Sequence, residues 1–178
     1  MTYCCGILVR DGLVMMADTR TNAGLDNIST FRKLHVFNKP GDRIMAIATA
    51  GNLAISQSVI STLTEGLEDP ITGEVERLLN APTMFQAAQR IGRAIRSVHE
   101  LEGSALRAED INFDVSFLFG GQIKGARMRL FMITPRAISS NAPPTRLTCR
   151  SASTNTASQC STAPCTTTSN CTKRSRPA

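Results

Sequence analysis

The chain has 178 residues, of which 42% are hydrophobic, with 20 Lys+Arg, 14 Asp+Glu, two histidines and no tryptophan, enough for one domain with a core of its own. No run approaches the 18 apolar residues of a membrane span, and no charged segment followed by an apolar one opens the chain, so the expectation is cytoplasmic, with no membrane partner. The formal charge of +6 sits entirely in residues 135–178, because residues 1–134 hold 14 basic and 14 acidic side chains; with 4% aromatics to stack on bases, no nucleic-acid partner is expected.

Strand patterns dominate the first fifty residues. They run over 2–9, 13–18, 34–37 and 44–50, with turns at Arg10-Asp11-Gly12 and over 39–42, and they read as an antiparallel sheet. Thr2 opens the first of them directly behind Met1. Methionine is removed when a small residue follows, and removal would leave a threonine whose hydroxyl and free α-amine can act as nucleophile and base together. Cys4 and Cys5 lie in the same strand pattern and read as small core hydrophobes.

After Gly51 the period becomes helical, with Ile55, Val59, Ile60 and Leu63 on one face. A second helix follows, with Met84, Ala88, Ile91, Ile95 and Val98 inward and Arg90, Arg93 and Arg96 on the solvated side. Strands return at 114–120 and 127–133 around a turn at 121–125. Strands, two helices and strands again, in blocks, suggest an α+β layered domain.

Several segments together resemble a known family. Leu13-Val-Met-Met-Ala-Asp-Thr-Arg20, Ser29-Thr-Phe-Arg-Lys-Leu-His-Val36 and Ala46-Ile-Ala-Thr-Ala-Gly51-Asn, in order behind a penultimate threonine, are similar to the N-terminal half of proteasome β-type subunits. Thr-Asn-Ala-Gly24, Asp-Asn-Ile-Ser-Thr-Phe-Arg-Lys33 and Thr-Ala-Gly-Asn52 bring the chain closest to the bacterial ancestral β-subunit branch, often called Anbu. The resemblance covers residues 1–134. It implies the αββα four-layer sandwich of the N-terminal-nucleophile (Ntn) hydrolases, with the C-terminal part truncated or frameshifted and one outer helical layer incomplete, so that an apolar sheet face stays uncovered.

The same resemblance implies a threonine-type endopeptidase. Thr2 Oγ would attack the peptide carbonyl while its α-amine takes the proton. Lys33 would depress the pKa of that amine, Asp18 would hold Lys33, and the Gly51 N–H would stabilise the oxyanion. Arg20 is expected to support the site, and His35 to pack or bond locally. Two alternatives stay open: a catalytically silent structural subunit, and an Ntn amidohydrolase acting on small amides. The partners implied are a peptide or protein substrate and further copies of the chain. The mechanism needs no cofactor, and no Gly-rich phosphate loop is present; with Cys149, Cys160, Cys165 and Cys171 lacking Cys-x-x-Cys pairing, no metal site is expected.

Residues 135–178 form a second segment, rich in Ser, Thr, Cys and Pro. They contain no Gly, Asp or Glu but five of the eight prolines and four of the six cysteines, and their large aliphatics are Ile138 and Leu147. Such a composition buries too little apolar surface to offset the entropy of ordering it. The same DNA in another frame permits Gly-Asn-Phe-Ile-Glu-Cys-Thr-Ala-Asp-Thr-Pro-Tyr-Leu-Gln-Ile-Gly-Glu from Arg136 onward, which resembles what the family carries next. The segment is expected to be a disordered tail or the product of a frame change near Thr134.

Overall fold

A computed structural model describes residues 2–22, 28–69, 73–108, 113–141 and 146–152. Its elements in order are β1 (Thr2–Val9), β2 (Gly12–Ala17), β3 (Arg20–Asn22), β4 (Ile28–Thr30), β5 (Leu34–Lys39), β6 (Arg43–Gly51), α1 (Leu53–Glu65), β7 (Leu67–Glu68), β8 (Val75–Glu76), a 3₁₀ turn (Leu78–Asn80), α2 (Met84–Ala108), β9 (Val115–Ile123), β10 (Arg129–Ile133), β11 (Ile138–Asn141) and β12 (Arg146–Ala152). Two antiparallel sheets result: a three-stranded one in the order β12-β1-β2, and a five-stranded one in the order β11-β10-β9-β6-β5. Short hairpins β3-β4 and β7-β8 stand apart from both.

The layers follow from strand alternation. Along β9, Phe117 and Phe119 face one way and pack with Met45, Ile47 and Phe131 against Ile55 and Val59 of α1 and Ile91 and Ile95 of α2. Leu118 faces the other way and joins Ala48, Ala50 and Leu130 against Cys4 and Leu8 of β1. The central strands are thus covered on both faces, which is why they read as continuous apolar runs. Asn52 caps α1 by accepting hydrogen bonds from the Ala54 and Ile55 N–H groups.

Three layers of the αββα sandwich are therefore present in the order helices, sheet, sheet. No described helix covers the outer face of the three-stranded sheet, where Tyr3, Val14 and Met16 are each 49% exposed. The strand pairing reaches past residue 134, since β11 pairs with β10 and β12 with β1, while residues 153–178 lie outside the described residues.

Two expectations need correction. The turn anticipated at 121–125 is shorter, because β9 continues through Gly120 and Gly121 to Ile123. Both glycines serve close approach instead: a Cβ on Gly121 would stand 2.2 Å from the Ile44 carbonyl oxygen, and one on Gly120 would stand 2.7 Å from Leu13 Cδ2 of the other sheet.

Arg90 and Arg93 are likewise not simply solvated. Arg90 donates to Glu76 Oε1 at 3.0 Å and to the Arg77 carbonyl, and Arg93 pairs with Glu76 Oε2 and with Asp69. Glu76 thereby ties the β7-β8 hairpin to α2. Glu76→Ala is expected to cost about 1–3 kcal/mol, because the mostly buried Arg90 guanidinium loses its carboxylate; a urea melt checks this.

Candidate active site

Four chain segments end at one edge of the two stacked sheets: the start of β1, the residue after β2, the residue before β5 and the last residue of β6. These positions are Thr2, Asp18, Lys33 and Gly51. The Asp18 N–H donates to the Tyr3 carbonyl at 3.0 Å, and the Tyr3 N–H donates back to Asp18 Oδ1 at 3.2 Å. Asp18 thus continues the β1-β2 pairing by one residue, using its side chain where a backbone carbonyl would otherwise serve. Met1 and the side chain of Thr2 lie outside what is described; the Thr2 backbone pairs with Ala152.

Lys33 is the centre of the arrangement. Its side chain is 4% exposed, and its ammonium donates to Asp18 Oδ1 at 3.0 Å and to the Arg20 carbonyl. A buried ammonium is costly unless paired and hydrogen-bonded, and here a carboxylate and a carbonyl both serve it. One carboxylate oxygen therefore links the first residues of β1 to a buried cation. Arg20 contributes its carbonyl to this cluster, while its side chain is exposed.

The lysine backbone is fixed from β6. The Thr49 N–H and hydroxyl both donate to the Lys33 carbonyl, at 2.9 and 3.4 Å, and the Cys4 thiol donates to the Thr49 carbonyl at 3.4 Å. Thr49 is itself buried. Motif reading passed over Thr49 and the Tyr3 amide; backbone partners and a small buried hydroxyl carry no signature in spacing. The signal that was available is Thr49's place in the strand leading to Gly51.

Cys4 sits beside this pair without being a rival nucleophile. Burial, reinforced by the Asp18 charge and opposed by Lys33, pushes its pKa up to about 11, so the thiol stays neutral at physiological pH. Because the folded pKa lies above the ordinary 9.0, the stability this group contributes is complete below pH 9 and is lost as pH rises towards 11. Urea midpoints are accordingly expected to fall across that window in the native chain, and to fall less in Cys4→Ala. His35 has its pKa lowered by burial and by nearby Arg32, and remains a neutral ring at pH 7.

Gly51 takes φ +107°, and a Cβ there would stand 2.1 Å from the Asp114 carbonyl oxygen. The same carbonyl accepts from the Asn52 N–H at 2.9 Å, which locks the strand-to-helix corner. Gly51 is exposed at that corner, open to an incoming backbone. Among the described residues no group of three or more His, Cys, Asp or Glu is placed to hold a metal ion, and no helix is long and apolar enough to cross a membrane.

No family model matches the chain, and no curated protein does. Solved structures do. An Anbu Gly-1 mutant from Hyphomicrobium sp. strain MC1 is 37% identical with a TM-score of 0.72, over 86% of this chain and 62% of that one. The Anbu complex of Pseudomonas aeruginosa, solved as a helical assembly, is 38% identical with a TM-score of 0.74, over 85% and 61%. Anbu from Yersinia bercovieri is 37% identical with a TM-score of 0.72, over 84% and 60%. The chain spans about three fifths of the length of these relatives. With the motif order and the layered sheets in agreement, the chain belongs to the proteasome β-subunit superfamily and is most like its ancestral β-subunit branch, Anbu.

Proposed function

We propose that the natural protein is a threonine-type endopeptidase acting through an acyl-enzyme on Thr2, exposed by removal of Met1. Thr2 Oγ adds to the substrate carbonyl while the α-amine accepts its proton, then returns it to the leaving amine; water afterwards cleaves the ester. Lys33 keeps the α-amine unprotonated through its charge, and Asp18 orients Lys33. The Gly51 N–H receives the oxyanion. The observation that carries this reading is the buried Lys33 ammonium held by the same Asp18 oxygen that bonds the Tyr3 amide, one residue from Thr2.

We also propose that copies of the chain associate with one another, supported by the helical assembly of the Pseudomonas aeruginosa relative. A second reading, a silent structural subunit, is favoured by the exposed Tyr3, Val14 and Met16, an apolar face suited to assembly.

Intact mass after treatment with a covalent inhibitor directed at N-terminal threonine tests the first reading. Loss of one methionine together with one inhibitor adduct, absent from Thr2→Ala, is the expected result. Retained Met1, or no adduct on a Met1-free chain, overturns it, and the second outcome leaves the structural subunit. Peptide turnover exceeding turnover of small acylated amines separates an endopeptidase from a small-amide hydrolase. The same mass, taken on protein from the native gene, also tests the reading of 135–178 as a frame product: a value clearly above 19.2 kDa is expected on that reading.

A further inference from the structure

The end of the sandwich remote from Thr2 and Gly51 carries a groove of about 1020 Å³. Val9, Phe85 and Met128 supply its apolar lining, and Arg10, Arg127 and Arg129 stand around it. Val9 is 45% and Phe85 48% exposed, a heavy apolar exposure for a surface with nothing on it. None of the three arginines makes an ion pair among the described residues. The groove therefore suits a guest with an apolar knob beside a carboxylate.

The chain carries such a knob itself. Leu101 on α2 is 78% exposed, the most exposed large hydrophobic among the described residues, and exposed Glu100 stands next to it, while Glu102 turns to α1 and accepts from the Ser58 hydroxyl at 3.2 Å. Sixteen residues separate Leu101 from Phe85 on one helix, which is about 24 Å along the axis and about 160° around it. Knob and groove thus lie on opposite flanks of α2, far apart along its length. Two copies that brought one knob into one groove would leave the other pair unsatisfied, so the contact is head-to-tail and propagates.

Building on the self-association proposed above, we infer that the Glu100-Leu101 knob of one copy seats in the Arg10/Arg127/Arg129 groove of a second copy. Leu101 is the apolar anchor in contact with Val9, Phe85 and Met128, and the arginines and Glu100 set register and speed encounter. Because the ionic part sits at an exposed rim, assembly weakens as salt rises.

Sedimentation of the full-length chain tests this with two variants, Leu101→Arg and the double substitution Arg127→Glu with Arg129→Glu. All three positions lie on the surface, and circular dichroism checks that folding is intact. Each variant alone is expected to be monomeric. Mixed, they should form a one-to-one pair and nothing larger, since each supplies the one surface the other lacks. If the wild-type chain is itself monomeric, the self-association reading falls and this inference with it. If the wild type assembles but either variant assembles equally well, or the mixture stays monomeric, the knob-and-groove contact alone is overturned.

Discussion

Replacing Lys33 with methionine is expected to lower kcat/KM for peptide hydrolysis about 10³-fold while changing stability by about 1 kcal/mol or less. The ammonium is 4% exposed and Asp18 is 31% exposed, so removing the cation leaves a carboxylate that water can still reach and that still accepts the Tyr3 N–H. Asp18→Asn is the reverse case. It keeps the ammonium buried and deprives it of the Asp18 carboxylate, so it is expected to cost about 2 kcal/mol, reduced from the buried-pair range because Asp18 is partly solvated. It should reduce activity less than Lys33→Met, since the cation that acts on the α-amine remains. The two variants thus order oppositely in stability and in rate. Steady-state hydrolysis of a fluorogenic peptide, set beside urea melts, reads both. If activity simply followed stability across the pair, Lys33 would be a structural lysine and the silent-subunit reading would gain.

Much of this architecture could be read from residue order. The eight-residue strand at Thr2–Val9, the alternation on either side of Arg10-Asp11 and the 3.6-residue period at Ile55, Val59 and Leu63 all declare their elements, because each spans several periods. The hairpins Arg20–Asn22 with Ile28–Thr30 and Leu67–Glu68 with Val75–Glu76 could not be, since two or three residues complete no period. Gly121 misled for a physical reason. Glycine marks turns by its conformational freedom, yet here it marks places where strands and sheets come too close for any Cβ.

The candidate site was legible in a narrower way. Asp18 and Lys33 are fifteen residues apart on different elements, and only family resemblance set them side by side; no local pattern requires their 3.0 Å contact. The parts that stayed hidden are the ones made by backbone: the Tyr3 amide, the Arg20 carbonyl and the Lys33 carbonyl bound by Thr49. Every residue has these groups, so their use is decided by topology. Arg90 and Arg93 were hidden similarly. Their spacing is that of a solvated helix face, and only the β7-β8 hairpin brings Glu76 across to them.

Gly51→Ala is expected to destabilise the chain by about 3–5 kcal/mol, against about 1 kcal/mol for Gly125→Ala. The contrast isolates the cause. Both glycines have positive φ, +107° at Gly51 and +78° at Gly125, so both lose conformational ease on gaining a Cβ. At Gly125 that Cβ would meet nothing within 4 Å, whereas at Gly51 it would lie 2.1 Å from the Asp114 oxygen and 2.9 Å from Val115 Cα. Those neighbours are backbone, held by the β6-β9 pairing of Gly51 with Val115 and by the Asn52 hydrogen bond, so they cannot rotate aside. Relief has to come from moving the corner between β6 and α1. That corner carries the amide proposed to receive the oxyanion, so any Gly51→Ala protein that still folds should lose turnover beyond its loss of folded fraction, while KM changes little. Equal melting shifts in the two variants would show that close approach is not what demands glycine at position 51.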